Sequence, residues 1–322
     1  MQQTTLGDKQ LTQIHSVKKG KINTILTRLS RDKYLYFLAA PGILYFLIFK
    51  YIPIGGVVIA FQEYSPFKGI LHSKWVGFEN FERFFSSSEF LKLLRNTMVI
   101  SVLNLVFFFP APIILSLLLN EARNSKFKRT IQSIVYLPHF FSWVIVAGIT
   151  FLLFSQSGGI VNGVIHAMGY FKIDFLTNEN YFWVMLTLQS IWKEAGWGTV
   201  IFLAAIAGVD PALYEAAKMD GANRLQQVKH ITMPAIQNVV ITLLILRMGH
   251  VLDVGFEQVY LMMNSAVTDV ADVFETYVYR MGIQNGQFSF TTAVGLFKSV
   301  VGLLLVIAAN KLARTYGKEG LY

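Results

Sequence analysis

The stretch Pro211-Ala212-Leu213-Tyr214-Glu215-Ala216-Ala217-Lys218-Met219-Asp220-Gly221, closed further on by Ile231-Thr232-Met233-Pro234, organises the reading of the whole chain. Pro211 opens a helix, since a proline at the first helical position gives up no needed N–H. Leu213 to Lys218 continue it. Gly221 supplies the residue that takes positive φ where such a helix must turn sharply. A second helical piece follows, and Pro234 marks the entry to an apolar run. The product is a helix-turn-helix between two long apolar segments. A plain connection needs only about 2–8 residues, so this hairpin is shaped to be gripped.

Outward from the hairpin, apolar residues fall in runs of about 20, the length that crosses roughly 30 Å of hydrocarbon. Of 322 residues, 54% are hydrophobic and 15% charged, against about 25% charged in a soluble domain. The reading is an all-α integral membrane protein with six transmembrane helices, at about 34–60, 97–119, 131–154, 181–207, 235–254 and 290–311. Lys50 and Pro53 interrupt the first, and Lys193 and Glu194 lie inside the fourth. The chain has no cysteine, which excludes disulfides and thiolate metal sites. No histidine pair has metal-ligand spacing, and no nucleophile–base set points to an enzyme.

The net charge of +9 would suggest nucleic acid only if its placement were ignored. The first 33 residues carry seven Lys/Arg: Lys9, Lys18, Lys19, Lys21, Arg28, Arg31 and Lys33. No cleavable secretory pattern accompanies them. With the N-terminus inside, the inner segments hold 16 Lys/Arg and the outer ones seven, so both termini are expected in the cytoplasm. The 61–95 segment, with five of those seven, pulls the other way. Three regions follow: a basic segment 1–33, a membrane domain 34–312 and a cytoplasmic tail 313–322. Ile22, Ile25, Leu26 and Leu29 recur at helical spacing beside Arg28, Arg31 and Lys33, as in a helix lying on the inner surface. A disordered basic tail is the alternative. Phe78, Phe81, Phe84 and Phe85 line a short outer helix expected to pack on the spans.

The hairpin resembles the EAA signature of ATP-binding-cassette import permeases: Glu-Ala-Ala, three residues, Gly, nine residues, Ile-x-Leu-Pro. The match falls on Glu215, Ala216, Ala217, Gly221, Ile231 and Pro234, with Met233 in the Leu place. This resemblance implies the type I importer permease fold with a cytoplasmic coupling helix seated in a cleft of the ATPase. Glu215 would then contact the ATPase, Ala216 and Ala217 would allow close approach, and Gly221 would permit the turn. It also implies a bacterial cytoplasmic membrane, a second homologous permease, two ATPase subunits and an extracytoplasmic solute-binding protein. No G-x-x-x-x-G-K-[ST] occurs, so ATP and Mg are expected on the partner ATPase, with no cofactor on this chain.

Further stretches are similar to sugar permeases: Trp75-Val76-Gly77-Phe78-Glu79-Asn80-Phe81, Asn96-Thr97, Tyr136-Leu137-Pro138, Ala195-Gly196-Trp197-Gly198 and Ile201-Phe202-Leu203-Ala204-Ala205. The stretches Asp253-Val254-Gly255-Phe256-Glu257-Gln258-Val259-Tyr260 and Thr276-Tyr277-Val278-Tyr279-Arg280 resemble the larger permease of complex-oligosaccharide importers of the alginate and rhamnogalacturonan type. Unlike maltose-type first permeases, the chain has no large external domain and no two extra leading spans. An oligosaccharide substrate is thereby implied.

Charges inside spans are functional suspects. Arg247, His250 and Asp253 fall at about 0°, 300° and 240° on a helix of roughly 3.6 residues per turn, on one face. Lys193 and Glu194 lie beside Trp192 and Trp197, and Lys298 is mid-way along the sixth span. Such a mixture of charges and aromatic faces suits a sugar pathway. The plainer reading is that the charges pair with one another or snorkel. The excess of Lys193, Arg247 and Lys298 over Glu194 and Asp253 would suit an anionic sugar. Against the importer stands an ion-driven secondary transporter using these charges as a relay. That alternative leaves the hairpin unexplained and lacks an inverted repeat.

Overall fold

The computed structural model describes residues 31–122, 124–315, 317 and 320. The expected interfacial helix around Ile22–Leu29 lies outside the described residues, as do the basic residues from Lys9 to Arg28. The chain divides into two units, Met1–Val58 and Ile59–Tyr322. The first consists, where described, of most of helix α1 (Lys33–Phe61), 29 residues long.

In the second unit a two-residue antiparallel ladder, β1 (Gln62–Glu63) with β2 (Lys74–Trp75), leads to α2 (Glu79–Phe85). The long α3 (Glu89–Glu121) follows, then α4 (Ser125–Phe140), α5 (Trp143–Phe154) and α6 (Ile160–Ala167). Next come α7 (Glu179–Ala207), α8 (Pro211–Met219) and α9 (Arg224–Gly249). Short helices α10 (Phe256–Met262) and α11 (Phe274–Val278) precede the closing α12 (Phe288–Thr315). Helices α1, α3, α9 and α12 are each long and apolar enough to cross a membrane, and the bent pairs α4/α5 and α7/α8 bring the number to six. Helices dominate because hydrocarbon offers backbone N–H and C=O groups no partner outside the segment itself.

Prolines inside these helices leave a recurring mark. Wide π turns at Leu47–Tyr51, Asn104–Phe108 and Val228–Thr232 each end two residues before a proline, namely Pro53, Pro110 and Pro234. Proline lacks the N–H that closes an ordinary turn and its ring crowds the carbonyl four residues back. A locally widened turn accommodates both effects without breaking the span.

Two expectations need correction. The third span is not one helix over 131–154: α4 and α5 meet at 104° across Phe141-Ser142. Pro138 tightens the end of α4 into a 3₁₀ turn, and Ser142 caps α5 by accepting from Ile145 N–H. With 12 residues, α5 spans only about 18 Å. The fifth span does not run over 235–254 but occupies Arg224–Gly249. His250 and Asp253 therefore lie in the turn beyond it, and the helical wheel that placed them on one face with Arg247 does not apply. Gly255, at φ 98°, provides the reversal into α10.

Helix α7 is the central element, flanked by α3, α4 and α9. Ile113 of α3, Phe202 and Ile206 of α7 and Ile236 of α9 form one buried cluster. Another joins Ile100, Ala147, Phe182 and Leu186 to Val259 and Met262 of α10. At the end where α2 sits, Phe84 is fully buried against Phe90, Phe274, Phe290 and Phe297, so the expected packing of the phenylalanine helix holds at Phe84, whereas Phe78 and Phe85 are exposed. Two crossings are backbone-close. A Cβ on Gly196 would lie 2.0 Å from the Val135 carbonyl oxygen, and one on Gly302 would lie 2.4 Å from that of Gly249.

Gly196→Ala forces α4 off α7 and is expected to cost about 1–3 kcal/mol, as overpacking does. A thermal-unfolding comparison in detergent against Gly295→Ala, whose Cβ meets nothing within 4 Å, checks it. Equal melting temperatures for the two variants would contradict the close crossing.

Candidate functional site

The hairpin is built from backbone geometry. Asp210 caps α8 by accepting from Ala212 N–H at 2.9 Å. At the other end Gly221 has φ 78°. Its N–H donates to Lys218 O at 3.1 Å, and Ala222 N–H donates to Ala217 O at 2.8 Å. This is the Schellman pair of bonds, which only a residue tolerant of positive φ closes without strain. Asn223 and Gln226 then form a capping box that starts α9. Two ties hold the hairpin to the bundle: Tyr214 OH and the buried Thr232 Oγ1 are 2.9 Å apart, and Arg224 donates to Glu121 Oε2 at 3.0 Å.

α8 turns 71° from α7 and presents an uncovered face. Glu215, Ala216, Lys218 and Asp220 are exposed and Ala217 half-buried. Met219 is 88% exposed. Ile231 is half-buried and Pro234 exposed, both two to three turns inside α9. Glu215, Ala216, Ala217 and Gly221 thus lie on one stiff projection, and the Tyr214–Thr232 contact ties it to the part of α9 that carries Ile231 and Pro234.

The suspected pathway residues separate into two clusters. In the first, the buried Lys193 donates to Glu194 Oε1 at 2.7 Å and to His139 O at 3.0 Å. Glu194 Oε2 accepts from His139 Nδ1 at 2.6 Å, and the His139 ring stacks on Trp197 with centroids 4.7 Å apart. The ammonium also lies 5.2 Å from the Trp143 ring. Trp192 stands apart and lines an apolar cavity of about 280 Å³ between α5 and α7, floored by Thr150 and Gln189. Beside it Gln189, Thr150, Ser190 and Gln258 bond to one another, every contact between 2.8 and 3.1 Å, and Gln258 also donates to Leu186 O at 2.7 Å.

The second cluster gathers where α9 ends. Lys298 of α12 reaches Asp253 Oδ1 at 2.7 Å and Glu275 Oε1 at 3.6 Å. The other Asp253 oxygen accepts from His250 Nδ1 at 3.2 Å. Glu275 Oε2 accepts from the N–H groups of Val254 and Gly255. Burial, against the pull of Lys298, pushes the Glu275 carboxyl above its ordinary range. Arg247 sits over the Phe108 ring at 5.6 Å and borders a crevice with Ser101 and His250. Among the described residues it has no carboxylate at ion-pair distance. The cation excess read from the sequence therefore disappears, since with Glu275 three carboxylates match the three cations, and within this set Arg247 is the cation that lacks a direct carboxylate contact among the described residues.

Glu275 and His139 carry no sequence signal for these roles. The first pairs across 23 residues with a turn between two helical stretches, and the second across 55, beside a proline that gave no hint of an acceptor. A further pair, Arg280 with the buried Asp272 at 2.5 Å, was equally invisible.

Four long apolar helices, two bent apolar pairs and a stiff polar projection describe a multi-pass membrane protein. Residues 96–318 match the family of binding-protein-dependent transport system inner membrane components, and the chain belongs to that family. It is 54% identical over 305 residues to the polygalacturonan/rhamnogalacturonan transport system permease protein YteP of Bacillus subtilis, covering 95% of each chain. Protein LplB of the same organism is 54% identical, with 94% of this chain and 95% of that one covered. Among solved structures, a chain of a bacterial alginate ABC transporter in complex with an alginate pentasaccharide-bound periplasmic protein superposes with a TM-score of 0.84 at 40% identity. That match covers 92% of this chain and 99% of the other. The fold is the type I ABC importer permease fold.

Lys193→Met leaves Glu194 half-buried and short of its cation. It is expected to destabilise the purified protein by about 3 kcal/mol. Adding Glu194→Gln should restore most of that loss. Thermal unfolding reads both, and an unchanged midpoint in the single variant would contradict a structural role for the pair.

Proposed function

We propose that this chain is the permease subunit of an ATP-binding-cassette importer that passes acidic oligosaccharides across the cytoplasmic membrane. In this reading both termini face the cytoplasm. A second homologous permease completes the pathway, two ATPase subunits bind ATP and Mg, and an extracytoplasmic binding protein delivers the sugar. The observation that carries it is the stiff, exposed hairpin Pro211–Met219 with its left-handed Gly221. ATPase closure would move such a lever as one body and bias the bundle between inward-facing and outward-facing states. Acidic cargo is supported by the names of the relatives and by Arg247, whose guanidinium suits bidentate hold of a carboxylate.

Co-purification in mild detergent tests the assembly. The native chain should bring an ATPase and a second permease, and Glu215→Ala with Gly221→Pro should lose the ATPase. A chain that purifies alone and transports in liposomes without ATP would overturn the proposal.

Arg247→Met should lower uptake of a uronate oligosaccharide about tenfold, the scale of one charge-assisted hydrogen bond, and leave a neutral one of equal length nearly unchanged. Competition between the two oligosaccharides in proteoliposomes measures this, and native preference for the neutral sugar would contradict acidic cargo.

A further inference from the structure

The β1–β2 hairpin carries two apolar side chains that its own fold leaves bare. Phe67 is 100% exposed and Leu71 92%. The tip that holds them is ordered by its own bonds. Lys68 and Gly69 N–H both donate to Ser65 O at 3.0 Å, Gln62 donates to Ile70 O at 3.1 Å, and Ser73 Oγ donates to Gly69 O at 2.7 Å. Gly69 takes φ 70° to close the turn. The two side chains are thus displayed by a stiff scaffold.

We propose that this tip is an anchor in the bilayer leaflet at which α1 ends, with Phe67 and Leu71 among acyl chains and Lys68, His72 and Lys74 at anionic headgroups. The inference rests only on α1 crossing the membrane and goes beyond the transport reading. Phe61 is the last residue of α1, whose 29 residues reach about as far as the bilayer with its headgroups, so the hairpin begins in the headgroup region. Trp75 at the returning foot stacks on Phe61, centroids 5.7 Å apart, and Phe78 meets it edge-on at 5.5 Å. Both Trp75 and Phe78 are exposed, as members of an aromatic belt at headgroup level are. From Phe61 to Phe67 the chain reaches at most about 20 Å, even fully extended, and the turn shortens that. The tip therefore stays near the interface. Lys68, His72 and Lys74 are exposed around it, and a basic rim on an apolar tip complements an anionic phospholipid surface.

The absence of cysteine makes a single nitroxide label unambiguous. Phe67→Cys, labelled in the full chain with its co-purifying subunits and with the unsubstituted complex carried through the same labelling as the blank, is placed in nanodiscs of phosphatidylcholine and phosphatidylglycerol. Collision rates with oxygen and with a water-soluble nickel chelate are calibrated against spin-labelled lipids. The expected result is oxygen collisions dominating at hydrocarbon depth, with a shift toward water when Lys68→Gln and Lys74→Gln are added. Nickel collisions dominating would put the tip in water and overturn the proposal. A label immobilised and shielded from both reagents would show that a protein partner receives the tip, which overturns it equally.

Discussion

A helix that breaks leaves backbone carbonyls in need of new partners, and α4, α5 and α7 are arranged around one such break. At the elbow between α4 and α5 the carbonyl of His139 is met by the ammonium of Lys193. The charge this brings into the membrane is offset by Glu194, which also takes the imidazole of the same histidine. A buried charge is tolerable only when paired and hydrogen-bonded. Carbonyl, ammonium, carboxylate and imidazole satisfy one another here, and Trp197 closes the stack. Gly196, one turn of α7 along from Lys193, lets the backbone of α4 come close enough for these contacts. The bent third span and the straight fourth are therefore one mechanical piece.

That piece continues through α7 into α8. The Schellman turn at Gly221 and the bond between Tyr214 and Thr232 leave the projection little freedom of its own. Force applied to α8 passes to α7 at one side and to α9 at the other. At its far end α9 is tied to α12 through the Gly249–Gly302 crossing and the Lys298–Asp253–Glu275 group. Packed helices with discrete contacts shift between arrangements rather than deform continuously, which is the property a transport cycle demands.

Much of this was legible in the amino acids because membrane physics writes long signals. Runs of about 20 apolar residues located the crossing units, and Pro211 and Gly221 outlined the hairpin through their backbone requirements, whereas Pro234 lies inside the continuous α9 behind a widened turn. The errors have one cause. Periodicity reports where apolar residues fall but not where a helix stops, so neither the elbow after Pro138 nor the end of α9 at Gly249 leaves a mark in it. Charge pairing was legible only for neighbours: Lys193 with Glu194 is visible as a dipeptide, whereas His139 and Glu275 find their partners through tertiary packing that no local pattern encodes. The anionic-pathway reading shifted for that reason, from three cations to Arg247.

The central claim is that the α8 projection is the point at which an ATP-driven partner grips the membrane bundle. A photocrosslinking amino acid at Met219, compared in native membranes with the same group at the exposed Leu303 of α12, tests it most directly. The account predicts one adduct from position 219, identified by mass spectrometry as the ATPase subunit, and none of that kind from position 303. No adduct at 219, or the same adducts from both positions, would contradict it.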